Sequence, residues 1–492
     1  HQMRVALNGT LLSDKAFYGI TKQHLAMTLP EGVLQDGQNV LRLTTGKSGG
    51  DLLVYDKLSV TYPRAFVARD GELIFSAAAE AFRVENLESR DITVYRIMDG
   101  QVERLNRLKT RYTGADYTAT FAGSNDAAKY VVVDDSAIKS PAAVEKVAPQ
   151  VDITSGTVNT LIIAHPDFIG TDLDRLADTR RAQGYSVKIV DVTQIYAQFG
   201  NYLFDPTAIK DYLTYAIQNM DVQMVLLVGG DTYDYQNYVS SSVSFIPSLY
   251  AQTTERIKFA AVDPSYVDPD GDQVPNIPIG RLPVRSSVEL SNLIEKTEAY
   301  TSNTYNKMAV FAADNSYTAD SIALAGMLPD WSVTKANIGE VGTAAAKQTL
   351  VDSINNGVAL TSYFGHSASD KWAHEDLFTI TDATALTNIG KPTVVTQYGC
   401  WNTYYVSPNA NTLSHKLLLG ENGAAAVTGA TALSNAVAEA KLGELIVPAM
   451  VSGKTIGEAM QESKEALALT DPGLVDVQLG WTILGAPWLE VK

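Results

Sequence analysis

Gly357-Val-Ala-Leu-Thr-Ser-Tyr-Phe-Gly-His366 and Pro392-Thr-Val-Val-Thr-Gln-Tyr-Gly-Cys400 are the two stretches whose reading decides the fold. Each is a short apolar run behind a breaker, Gly357 in one case and Pro392 in the other, and each ends in a Gly followed by a reactive side chain. Runs of this length, bounded in this way, read as fully buried strands of a parallel sheet, Val358 to Phe364 and Thr393 to Gln397. A helix from Ala344 to Ile354 precedes the first, and one helix-length crossover separates the two. A right-handed crossover makes the strands parallel and adjacent, so His366 and Cys400 leave from one rim. Open α/β sheets place their sites at such a rim.

Outward from this pair the same alternation continues. Leu161 to Ala164, Val187 to Val192, Met224 to Val228, Met308 to Ala312 and Val333 to Asn337 read as strands, with helices between them, among them one introduced by Pro206 and one from Ser287 to Tyr300. Residues 151–492 are therefore expected to form one mostly parallel sheet flanked by helices. Before Lys139 helical periodicity is nearly absent. Short β-branched and aromatic runs at 39–44, 52–55, 58–62, 72–76, 92–96 and 130–133 predict an all-β, sandwich-like region, divided at Tyr62-Pro63-Arg64 into a partial module (1–62) and a second module with linker (63–150).

Composition narrows the class of function. At 492 residues the chain is too long for one ordinary core, and 46% hydrophobic with 19% charged residues is globular rather than disordered. The formal charge of −17 repels phosphates, which argues against a nucleic acid partner. No run of about 18 apolar residues occurs, so no transmembrane segment is expected. The first residues, His-Gln-Met-Arg-Val, carry no secretory signal, which is read as absent or removed. A single cysteine excludes an intrachain disulfide and any multi-thiolate metal site.

A thiolate is a nucleophile, and a neighbouring imidazole both activates it and protonates a leaving amine. A lone Cys is by default a small buried hydrophobe. Placement of Cys400 and His366 behind glycines at two strand ends favours the chemical reading.

The residues around this pair resemble the gingipain family of cysteine peptidases, which have a caspase-like fold. The resemblance is carried by Tyr363-Phe364-Gly365-His366 with Trp372, by Gly399-Cys400-Trp401-Asn402, by Leu226 to Asp231, by Pro278 to Val284 and by Leu484 to Leu489. The preceding β part, including Val60 to Arg64, resembles the β modules of secreted relatives of bacterial type IX secretion systems. The resemblance implies a cysteine endopeptidase, secreted or on the bacterial surface, acting on protein or peptide substrates through a Cys400–His366 dyad and a thioester. It also implies that the residue five positions before Arg281, acidic in the family and Asn276 here, orients the histidine. The family's Gly after the histidine is Ser367 here, whose amide remains available with that of Cys400 for an oxyanion hole.

Further candidates are Trp372 and Trp401 as pocket walls and Glu289 as an acidic partner for a basic P1 side chain, against its reading as an exposed helix charge. Asp263, Asp268, Asp270 and Asp272 alternate around Gly271 and predict a structural Ca²⁺ site; no organic cofactor is expected. Two rival readings stand beside hydrolysis: a sortase-like transpeptidase, and a binding or adhesion module on a peptidase fold that has lost activity. Oligomeric state is not legible.

Overall fold

The computed structural model describes every residue except 19–21, 36, 47–54, 63, 142–143, 145–146, 148–149, 240–241, 255 and 409–410. The chain divides into two compact units, residues 1–148 and 149–492.

The first unit is all antiparallel β structure. Gln2–Leu7 pairs with Thr10–Ala16 through Asn8-Gly9 and with Leu41–Thr45 on its other side. A separate five-stranded sheet is built on two long partners, Glu72–Leu87 and Tyr117–Asp134. The second of these carries Ile92–Met98 near its end and Lys109–Tyr112 at its start. Phe82, Phe121, Tyr130 and Val132 are buried between, with Phe82 and Tyr130 rings 4.8 Å apart. The strand expected at 58–62 is irregular and exposed, and the one expected at 52–55 lies largely outside the described residues.

The second unit carries a ten-stranded sheet. In chain order its strands are β1 (Thr160–Ala164), β2 (Val187–Asp191), β3 (Met224–Val228), β4 (Ile279–Leu282) and β5 (Met308–Ala313). They continue with β6 (Ser332–Asn337), β7 (Leu360–Phe364), β8 (Thr393–Tyr398), β9 (Ala424–Ala430) and β10 (Trp481–Gly485). The spatial order is β2-β1-β3-β4-β10-β9-β8-β7-β5-β6. Every neighbouring pair is parallel except β9 and β10. Strands β3, β7, β8 and β10 are buried at every residue, so both of their faces are covered and none shows a solvent-facing polar alternation. Among the described residues no helix is long and apolar enough to cross a membrane.

Register positions the rim. Phe364 of β7 is level with Tyr398 of β8, and Ala313 of β5 is level with Phe364. His366 and Cys400, each two residues past those level positions, therefore leave the sheet side by side, with Asp314 immediately past the third strand end.

Candidate active site

Two glycines allow the strand ends to converge. A Cβ at Gly399 would lie 2.4 Å from the Gly365 carbonyl oxygen, and one at Gly365 would lie 2.9 Å from the Asp314 carboxyl carbon. No side chain fits at either point. The Gly365 amide donates to Tyr398 O (2.9 Å), and Ser367 Oγ donates to Cys400 O (2.8 Å), so the two loops are tied together.

Asp314 holds the histidine. Its Oδ2 lies 2.7 Å from His366 Nδ1 and accepts the His366 amide at 2.8 Å, while Oδ1 accepts from Ser316 N and Tyr317 N. The Tyr317 and His374 rings pack at 5.3 and 4.9 Å from the imidazole, and the His366 carbonyl accepts from Tyr363 Oη and Ala373 N. The imidazole is thus fixed at Nδ1 and is half exposed, which leaves Nε2 for chemistry.

Asn276 has no part in this arrangement. It is exposed before β4, which is separated from β7 by three strands, and its amide donates to Val267 O at 2.8 Å. The contact with the imidazole expected from Asn276 comes from the carboxylate of Asp314 instead. The available signal is an Asp directly after the apolar run Met308 to Ala313, at the end of the strand next to β7.

Ser367 pairs with Trp372 in a small antiparallel ladder in which Ala373 N donates to His366 O. That pattern makes Ser367 a non-hydrogen-bonded position, so the ladder does not consume its amide. Cys400 is partly buried, and burial pushes its thiol above the ordinary value, with the nearby carboxylate of Glu439 adding to the effect. The thiol donates to Ser434 O at 3.6 Å.

Trp372 is not a pocket wall. It is fully buried, stacked on Tyr363 at 4.7 Å, and its Nε1 donates to Gln397 Oε1 at 2.7 Å. Trp401 is partly exposed directly after Cys400, at a positive φ of 61°, with its ring edge against Tyr404. Glu289 lies in the first turn of the helix Ser287–Ser302 and is already engaged by Arg285, through the backbone N at 2.7 Å and Nη2 at 3.1 Å. Asp231, at the end of β3, is buried and organises its own loop through Tyr235 Oη, Ser244 Oγ and Ser248 N.

The acidic loop separates into two parts. Asp268, Asp270 and Asp272 bring carboxylate oxygens within 4.8 Å of one another. Asp263 does not join them: it is buried in a bidentate pair with Arg281, at 2.6 and 2.8 Å. The trio is a hard oxygen cluster of the kind Ca²⁺ takes. Asp268, its carboxyl pushed up by burial and bonded to Asp270, has Gly271 N and Gln273 N as its backbone donors.

Peptidase family C25 matches residues 153–492, well over half of the chain. The chain belongs to this family. It is therefore a cysteine-type peptidase, and its α/β unit is the caspase-like fold of the gingipains. Among solved structures, the complex of Porphyromonas gingivalis RgpB pro- and mature domains is 19% identical with a TM-score of 0.55, over 68% of this chain and 80% of that one. The Arg-specific cysteine proteinase gingipain R is 18% identical with a TM-score of 0.55, over 70% and 80%. Dimeric latent PorU from Porphyromonas gingivalis is 15% identical with a TM-score of 0.51, over 100% of this chain and 47% of that one, so this C25 chain spans about half of that protein. No curated protein sequence matches the chain.

Proposed function

We propose that this C25 peptidase is an endopeptidase that cleaves proteins through a thioester on Cys400. The observation that carries the reading is the contact of Asp314 with His366 Nδ1, which leaves Nε2 as the one ring nitrogen for the thiol at the neighbouring strand end. As Sγ attacks the scissile carbonyl carbon, the thiol proton passes to Nε2, and the carbonyl oxygen becomes an oxyanion facing the amides of Ser367 and Cys400. The C–N bond then breaks as Nε2–H protonates the amine. Water, losing its proton to Nε2, hydrolyses the thioester and the thiol is restored. Asp314 keeps the ring in one tautomer and stabilises the imidazolium.

The partly exposed indole of Trp401 is the candidate wall beside the scissile residue. The carboxylate trio of Asp268, Asp270 and Asp272 holds a structural Ca²⁺ in this reading and stiffens the loop that leads into β4. We place the protein outside the cytoplasm or on the bacterial surface, a reading supported by the likeness to PorU along the whole of this chain.

The test is digestion of a diverse peptide mixture by the protein and by Cys400→Ala, read by mass spectrometry. Cuts that vanish in the variant are expected. Cuts that persist would sink the thioester mechanism, and amine-joined products would replace hydrolysis by transpeptidation.

A further inference from the structure

The thiol of Cys400 has neighbours that the hydrolytic cycle does not use. They come from the turn before the helix Ala436–Val451. Ser434 O accepts from Sγ at 3.6 Å, and Ser434 Oγ lies 3.9 Å from the same sulfur. The Ser434 hydroxyl donates to Oε1 of Glu439, a residue only 3% exposed.

A hydroxyl has one hydrogen, and here two acceptors compete for it. An ionised carboxylate is the stronger of the two, so whenever Glu439 is ionised the hydrogen goes to it. The sulfur is left with the Ser434 carbonyl, which accepts from S–H. Burial, and after it the Glu439 charge, push the thiol up, while the backbone and side-chain contacts from Ser434 pull it down. A neutral Glu439 would release the hydroxyl to turn toward a thiolate.

We propose that Ser434 and Glu439 are positioning residues, that ionised Glu439 keeps the resting Cys400 thiol protonated by holding the Ser434 hydroxyl, and that neutralising Glu439 transfers that hydroxyl to the sulfur. The proposal rests on the reading of Cys400 as the nucleophile. The surroundings support it. Burial pushes the Glu439 carboxyl up to about 7, opposed by the Ser434 bond and reinforced by Asp476. The ionisable groups facing the pair from packed elements are Asp476, which accepts Asn435 N, and Tyr317, Tyr363 and Tyr398. His366 adjoins them through Tyr317, and on Glu439's own helix Lys441 is held by Asp471. Among these described groups no permanent cation neutralises Glu439.

Cys400 is the chain's one cysteine, so alkylation by iodoacetamide as a function of pH reports this thiol alone, whether or not the protein cuts peptides. In the wild type the midpoint is expected to lie higher in the folded protein than in urea. Glu439→Gln is expected to lower the folded midpoint and to raise the alkylation rate at pH 7 by roughly three- to tenfold, the equivalent of half to one pKa unit. Adding Ser434→Ala to that variant is expected to remove most of the gain, because the donor is gone. A purely structural role would give no such reversal. An E439Q profile superimposed on the wild type, or a double variant as fast as E439Q, overturns the proposal. If E439Q does not fold, a folded wild-type midpoint at or below that in urea overturns it equally. A protein that cuts nothing yet shows these shifts would defeat the proposed function while leaving the control of the thiol intact.

Discussion

Asp314 Oδ2 touches His366 twice, at Nδ1 (2.7 Å) and at the backbone amide (2.8 Å), from the end of the adjacent strand. One oxygen thus fixes both the ring and the chain that carries it. Asp314→Asn preserves shape but removes the charge that stabilises the imidazolium, and an amide nitrogen turned toward Nδ1 would select the wrong tautomer. The expected result is a fall in kcat of about 10²- to 10⁴-fold with KM nearly unchanged. Steady-state kinetics on one peptide checks this, and a change confined to KM would remove Asp314 from the role of orienting group.

Trp372→Phe separates packing from recognition. The indole N–H is the donor to buried Gln397 Oε1, and Gln397 Nε2 already has no partner among the described residues. Loss of that donor should cost about 1–3 kcal/mol of stability in urea unfolding while KM stays constant. A raised KM with stability unchanged would restore Trp372 to the pocket.

Arg281→Met leaves Asp263 as a buried carboxylate without its bidentate partner, and also abandons the carbonyls of Gly229 and Ile246. Destabilisation of about 3–5 kcal/mol is expected. Chemical denaturation of R281M beside R281M/D263L provides the check, since removing the stranded carboxylate should recover part of the loss.

His415 predicts an acid limb of stability. Burial, with Arg285 and Lys416 nearby, lowers its pKa to about 3, and its Nδ1 caps the helix Leu413–Leu419 at Thr412. The unfolded chain, titrating near 6.5, binds the proton that the folded chain refuses, so stability falls as pH drops from about 6.5 toward 3. By pH 5 the loss amounts to about 2 kcal/mol, and His415→Gln should not show it. Equal pH slopes for the two proteins between pH 6.5 and 5 would contradict the assignment.

Chelation tests the carboxylate trio. Addition of EGTA should lower the melting temperature of the wild type and leave Asp270→Asn/Asp272→Asn unaffected, with excess Ca²⁺ reversing the shift only in the former. An unchanged wild-type melting temperature would remove Ca²⁺ from the account.

What the sequence made legible follows from burial. Strands β7 and β8 read clearly because both faces are covered, and their register then brought His366 and Cys400 to one rim. Asp314 was hidden because it lies 52 residues before His366, and an Asp after an apolar run reads as the start of a turn. Ser434 and Glu439 reach the thiol only through tertiary packing. In the first unit, the middle of the long strand Glu72–Leu87, Ala-Ala-Ala-Glu-Ala, has no β-branched residue and gave no strand signal, although its partner supplies the ladder. The Asn8-Gly9 pair that turns the first hairpin is a local signal of two residues, legible only beside the strands it joins. That β10 enters between β4 and β9, parallel to the first and antiparallel to the second, has no local signature at all.

That inserted strand sets the order in which the sheet can be finished during synthesis. β10 is the last strand along the chain yet sits fifth in the row, between β4 and β9. Until Trp481 to Gly485 leaves the ribosome, both of those strands present bare inner edges, the form of a sheet that recruits foreign strands. Some fifty residues separate β9 from β10, roughly 3 to 10 seconds of translation at ordinary rates. Those seconds are the chain's window of greatest exposure to aggregation, and the stage at which a chaperone would serve it most.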